Sequence, residues 1–250
     1  MTPASGIRPY DAELEILADP DALARRVADW LLALAMATRG NFAMALSGGS
    51  TPRRLYEYLG KPPYLDNFPW PRTHWFWGDE RFVPLDDSES NFRMARQSLL
   101  SQVPIPQANI HAIPTEGVSP DASASAYQLT LKSFYGADLL DPDRPLFDVT
   151  LLGLGPDGHT ASLFPGTAIL DERERWVAAV TDAKGKARIT LTYPVLESSR
   201  HTAFLVTGTE KRAILDRLRH GDQSLPAARL RPVGALWIFA DTAAGTAVAV

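Results

Sequence analysis

Short apolar runs alternate with longer stretches in which apolar residues recur every three or four positions, and the pattern repeats along most of the chain. Leu14 to Leu17 reads as a first strand. Asp19 to Thr38 then carries Leu23, Val27, Trp30, Leu31 and Leu34 at helical spacing, with Asp19 placed to cap the helix and Gly40 to stop it. Phe42 to Leu46 is a compact apolar run that empties into Ser47-Gly48-Gly49-Ser50-Thr51-Pro52, after which Leu55, Tyr56 and Leu59 resume the helical period. Strand, glycine loop and helix follow one another directly.

The same order returns twice. His74 to Trp77 is β-prone and runs into the polar loop Gly78-Asp79-Glu80-Arg81, with Asn91 to Leu100 helical beyond it. Phe147 to Leu152 is almost wholly apolar, as a strand buried on both faces requires, and ends in Gly153-Leu154-Gly155-Pro156-Asp157-Gly158-His159. Arg188 to Leu191, Ala203 to Val206 and Ala235 to Phe239 add strands, with a helix from Glu210 to Arg219 between the last two. Alternating strands and helices predict an α/β fold built on a mainly parallel sheet covered by helices. Ligands in such folds bind beyond the carboxyl ends of the strands, where the three polar loops fall. The proline-rich patches Lys61 to Pro71 and Leu140 to Pro145 read as connectors, and no repeat or boundary divides residues 1–250, so a single domain is expected.

Composition narrows the chemistry. A formal net charge of -4 gives no lysine and arginine excess for a nucleic-acid backbone, so an anionic ligand must be caught locally. With Cys 0 there is no disulfide, thiolate nucleophile or cysteine metal site. Met1 to Tyr10 lacks a basic start followed by an apolar run, and Trp30 to Ala37, the longest apolar stretch, is too short to span a bilayer. A cytoplasmic protein with no membrane or nucleic-acid partner is the expectation.

Each polar loop admits two readings. Ser47 to Thr51 presents backbone N–H groups and hydroxyls at a helix N-terminus, a cradle for phosphate, or is a plain glycine turn with Ser/Thr capping. It lacks the Gly-Lys-Ser/Thr ending of a nucleoside-triphosphate loop. Gly153 to Gly158 matches the dinucleotide spacing G-x-G-x-x-G, yet Asp157 would set a carboxylate against the pyrophosphate. His159 is either a base that takes a proton from water, with Asp157 steering its ring, or a helix cap beside a turn. His74, His111, His201 and His220 are scattered, so no metal site is expected. Arg81 is either a clamp for an anion or oxyanion, or the partner of Asp79 or Glu80 in a surface ion pair. Lys211 and Arg188 are phosphate-binding cations or solvated surface residues. A serine hydrolase fits poorly, because there is no G-x-S-x-G elbow and Ser162 falls in a helix start where serine is ordinary.

Taken together, Leu46 to Pro52, Trp77 to Pro84 with Ser90-Asn91-Phe92, and Gly153 to Pro165 resemble the 6-phosphogluconolactonase family, from about Phe42 to the C-terminus. The resemblance implies a modified doubly wound, Rossmann-like sheet with helices on both faces, similar to glucosamine-6-phosphate isomerase/deaminase. It implies hydrolysis of 6-phospho-D-glucono-1,5-lactone to 6-phospho-D-gluconate, a step of the oxidative pentose phosphate pathway, with no cofactor or metal. It makes His159, Asp157 and Arg81 catalytic, and Ser47, Gly48, Gly49, Ser50, Thr51, Asp79, Asn91, Arg188 and Lys211 candidates for substrate and phosphate binding. The isomerase pattern differs in placing Glu before the proline that closes the histidine loop and Glu-Tyr at the second loop. This chain has Phe164 before Pro165, and Glu80-Arg81. The expected partner is a small phosphosugar lactone, and the expected state a monomer or weak homodimer.

Overall fold

In a computed structural model that describes residues 12–245, strand β1 (Glu13–Leu17) leads into helix α1 (Pro20–Ala37). Asp19 caps α1 by accepting the Ala22 N–H at 2.7 Å, and Leu23, Val27, Trp30 and Leu31 form its buried stripe. The helix ends at Thr38, whose N–H returns to the Leu34 carbonyl, two residues before Gly40 takes its positive φ of 81°. Strand β2 (Phe42–Leu46), with every residue buried, runs through Ser47-Gly48-Gly49 into α2 (Ser50–Leu59). The connector that follows holds a short helix, α3 (Tyr64–Asn67), and leads to β3 (Thr73–Trp77).

Residues expected to be loop after β3 are in part a strand, β4 (Asp79–Arg81), which leaves the main sheet. Helix α4 (Asn91–Ala95) continues through a wider π-type turn at Arg96–Leu100, in place of one regular helix over that stretch. Helix α5 (Pro120–Tyr135), β5 (Phe147–Leu152), β6 (Val177–Thr181), β7 (Ala187–Leu191) and α6 (Tyr193–Glu197) precede β8 (Ser199–Val206). A 3₁₀ turn at Thr209–Lys211 opens α7 (Arg212–Arg219), and β9 (Ala235–Asp241) is the last strand described.

Six strands pair in the order β1-β9-β8-β5-β2-β3, all parallel, as strand-helix alternation requires. Register carries Trp237 onto the face of Trp75 and leaves Phe76 on the other. Trp30 of α1 packs on Trp237 and Phe239, while Phe134 of α5 packs on Phe76 and His74, so helices cover both faces. A separate antiparallel sheet, β4-β7-β6, takes in the Arg188 to Leu191 strand. Adjacent parallel strands β8, β5, β2 and β3 deliver their following loops to one edge. Among the described residues no helix is long and apolar enough to cross a membrane; Met1 to Tyr10, which bore on secretion, lie outside them.

Candidate active site

The loop after β2 is held from below. The buried Tyr56 hydroxyl donates to the Ser47 carbonyl at 2.8 Å and accepts the Ser47 N–H at 3.1 Å. Gly49, at φ +108°, turns the chain into α2 in a conformation that a side chain would strain. The N–H groups of Gly48, Gly49, Ser50 and Thr51 find no acceptor among the described residues, and no side chain caps α2. Four free donors and the positive end of a helix dipole make this an anion-ready turn rather than a Ser/Thr-capped one. Thr51 Oγ1 lies 2.7 Å from Thr207 Oγ1, so the loop after β8 borders it.

The loop after β5 is not a helix start. Gly158 N–H bonds to the Gly155 carbonyl, Gly155 N–H to the His159 carbonyl, and Leu163 N–H to the Thr160 carbonyl, which closes successive turns through residue 163. Without the helix, the dinucleotide reading loses the N-terminus that would hold a pyrophosphate, and the capping role for His159 goes with it. His159 instead sets Nδ1 2.5 Å from Asp157 Oδ1, and its backbone N–H reaches the same oxygen at 3.1 Å. A Cβ on Gly155 would lie 2.1 Å from His159 Nδ1, so the ring packs directly over that glycine. Phe164 flanks the ring at a centroid distance of 5.0 Å. Partial burial raises the Asp157 pKa, but the backbone, charge and ring of His159 outweigh it and hold the carboxyl below its ordinary value. Nε2 of His159 is bonded to nothing among the described residues, and the side chain is 30% exposed, enough to meet a ligand.

The third loop supplies carboxylates and cations from the small sheet. Asp79 is buried and accepts Ser162 Oγ at 2.6 Å, while Asn91 Nδ2 reaches its backbone carbonyl at 3.0 Å. Asn91 also fills the space beside Gly48, where a Cβ would stand 1.9 Å from Asn91 Oδ1. Asp79, Asn91 and Ser162 thus lock the three loops together. Glu80, equally buried, accepts the N–H groups of Arg81, Asn91 and Phe92 and the Ser90 hydroxyl. Burial pushes its pKa up against those backbone bonds.

The surface ion pair considered for Arg81 does not form: its guanidinium donates to the Glu89 carbonyl at 2.8 Å, and its Nε is buried without an acceptor. Arg188 stands directly opposite Arg81 in the β4–β7 register and donates both Nε and Nη2 to the single oxygen Oδ2 of Asp182. Asp182 feels some burial, but the Arg188 bonds and the backbone of Lys186 and Lys184 hold it down at about 2. Lys211 is not simply solvated, since its ammonium donates to the Leu154 carbonyl at 2.7 Å, against the histidine loop. Arg188 therefore belongs with Arg81 on the small sheet, and Lys211 with the loops of the large one.

Three residues left out of the expected site bear on it: Ser162, which lies in a turn and is fully buried rather than at a helix start, Thr207, and Glu80, which the sequence reading weighs only as an ion-pair partner of Arg81. The histidines expected to be scattered include one close pair, His74 and His111, with Nδ1 and Nε2 3.1 Å apart. No group of three or more His, Asp or Glu among the described residues is placed to hold a metal ion.

A parallel sheet that ends in an anion-ready glycine turn, with an Asp157-bonded histidine on the neighbouring loop, is an α/β fold whose polar loops gather at one sheet edge, the place where such folds bind ligands. Residues 18–238 match the family described as glucosamine-6-phosphate isomerases/6-phosphogluconolactonase, and the chain belongs to it. The match begins well before Phe42, where the motif resemblance starts. A 6-phosphogluconolactonase of Nostoc sp. is 40% identical over 243 residues, which cover 95% of this chain and 98% of that one. Among solved structures, the 6-phosphogluconolactonase from Trypanosoma cruzi superposes with a TM-score of 0.81 at 27% identity, covering 96% of this chain and 97% of its own. A monomeric glucosamine-6-phosphate deaminase superposes almost as well, with a TM-score of 0.79 over 93% of this chain and 98% of its own, but at 18% identity it shares the fold alone. The fold thus does not choose the reaction, whereas the sequence relatives are hydrolases.

Proposed function

We propose that this chain hydrolyses a 6-phosphorylated sugar lactone, 6-phospho-D-glucono-1,5-lactone, to 6-phospho-D-gluconate, with His159 as the base that activates water. The observation that carries the reading is the state of the imidazole: Nδ1 is tied to Asp157 at 2.5 Å while Nε2 is unbonded among the described residues, on the loop that follows the strand next to the one ending in the glycine turn. Asp157 holds the ring so that Nε2 is the basic nitrogen. The substrate phosphate docks on the N–H groups of Gly48 to Thr51, with Lys211 close by through its bond to the histidine loop. Asp79 and Asn91 hold those two loops in register.

A water then loses a proton to Nε2 as its oxygen forms a bond to the lactone carbonyl carbon. The carbonyl oxygen takes up the negative charge, which the Arg81 guanidinium offsets. The charge collapses back, the bond from the carbonyl carbon to the ring oxygen breaks, and that oxygen takes the proton from the imidazolium. Arg188 lies opposite Arg81, but its charge is already balanced by Asp182. Phe164, where the isomerase pattern carries Glu, places an apolar ring against His159 and gives the site no second carboxyl for sugar-ring opening. Water attack on an ester needs none.

Replacing a general base costs about 10²–10⁴-fold in rate, so His159→Ala is expected to lose kcat to that extent and still bind 6-phosphogluconate by calorimetry. Lactone hydrolysis is followed above the spontaneous rate by acid release, with a glucosamine 6-phosphate assay alongside. Wild-type turnover in the variant would remove His159 as the base.

A further inference from the structure

Ser162 lies three residues beyond His159, is fully buried, and donates its hydroxyl to Asp79 Oδ2 at 2.6 Å, while its backbone N–H reaches Thr190 Oγ1 at 3.2 Å. Both partners belong to the small antiparallel sheet, and Asp79 is itself buried. Between His159 and Ser162 stands Ala161 with φ +48°, the single non-glycine residue in the left-handed region among those described. That conformation is unfavourable for an L-residue and persists only where surrounding bonds impose it. Here they are identifiable. Thr160 Oγ1 is fastened to the Gly153 carbonyl on one side, and Ser162 to Asp79 and Thr190 on the other.

We infer that Ser162 is a positioning residue for the hydrolytic reaction: its bond to Asp79 holds Ala161 in the strained turn and so fixes the direction in which the His159 ring points. The inference rests on the hydrolase reading above. Ser162 touches no substrate, since it is sealed beneath the loop. It acts on the step that needs His159 aimed, not on phosphate binding, which uses the glycine turn. Asp79 correspondingly serves as the fixed post against which the histidine loop is braced, with Asn91 completing the brace toward Gly48.

Four proteins test this: wild type, Ser162→Ala, Ala161→Gly and the double variant. Losing one hydrogen bond to a buried carboxylate is expected to lower kcat about tenfold in Ser162→Ala, with KM moved by less than about twofold. Ala161→Gly removes the strain without touching any group of the site, so it is expected to keep wild-type kcat and to restore most of the loss when added to Ser162→Ala. A purely structural serine would not give that pattern, because a glycine does not return lost packing. Ser162→Cys, similar in size and a weaker donor, covers the case in which the alanine variant does not fold and is expected to fall between wild type and a tenfold loss. Ser162→Ala with wild-type kcat, a loss seen in KM instead, or a double variant as slow as the single one overturns the inference while the hydrolase reading stands. Absence of lactone turnover in the wild-type chain removes that reading, and this inference with it.

Discussion

The two sheets of the molecule are built on opposite rules. In the large parallel sheet β2 is wholly apolar and buried, β5 is mostly so and β8 ends in the buried apolar run Ala203 to Val206, and the polar loops begin where these strands stop, at Ser47, Gly153 and Thr207. In the small antiparallel sheet the strand is the chemistry: β4 consists of Asp79, Glu80 and Arg81, and β7 sets Arg188 and Thr190 opposite them. The large sheet fixes where loops end and contributes mostly backbone groups. The small sheet reaches across to those loops with a side chain, through Asp79 to Ser162, and Asn91 at the start of α4, bonded to the Asp79 carbonyl, reaches Gly48. Substitutions in the large sheet should therefore cost stability alone, and substitutions in the small one stability and activity together.

The largest effect tests the first half of that contrast. Phe204 on β8 is fully buried, and Phe204→Ala is expected to cost about 3–5 kcal/mol of unfolding free energy by urea denaturation. At a temperature where the variant stays folded, its kcat should equal that of wild type. A kcat that fell in proportion would show the site to depend on the large core directly. A smaller effect on stability, with a larger one on rate, is expected from Glu80. Glu80→Gln keeps the shape but turns one acceptor oxygen into a donor that faces the backbone N–H groups or hydroxyl now bonded there. The cost should be about 2–3 kcal/mol, the worth of bonds to a buried charge. Because Arg81 and Asn91 hang from those bonds, kcat/KM for lactone hydrolysis should fall about tenfold, a loss of about 1.4 kcal/mol in transition-state binding. Unchanged kcat/KM in a destabilised Glu80→Gln would break the comparison.

The same contrast explains what the sequence disclosed. Runs such as Phe42 to Leu46 and Phe147 to Leu152 announce buried parallel strands because nothing but burial selects their residues. The loops after them are visible as glycine clusters, and so are Gly48, Asp157 and His159. Strand β4 is invisible by the same logic: Asp-Glu-Arg has no apolar alternation, and only pairing with β7 makes it extended. Helix α5 escapes because its buried stripe is largely Ser123, Ala124, Tyr127 and Leu131, too narrow and too small to stand out as periodic. Ser162 was hidden twice over, since a helix start and a tight turn share the same residue preferences and its partner lies 83 positions away.

Among the polar residues that interrupt the apolar strands of the large sheet, His74 on the edge strand β3 yields the smallest effect. His74 stands on that strand with Nδ1 3.1 Å from His111 Nε2, and the His111 ring stacks on Phe76 at 4.3 Å. Burial, with the neighbouring His74 charge second, pulls the His111 pKa from 6.5 to about 4, and burial also lowers His74. A folded-state pKa below the unfolded one means that the unfolded chain binds more protons in between, so stability is lost as pH falls from about 6.5 toward 4 and levels off below. Since His111 is only half-buried, its share between pH 7 and pH 5 is discounted to about 1 kcal/mol. His111→Phe keeps the stack on Phe76 and removes the titration, so its urea midpoint should drop less than that of wild type between those two pH values, with His74 supplying the remaining slope. Equal drops in the two proteins would mean that the edge of the large sheet behaves energetically as apolar even where histidines occupy it.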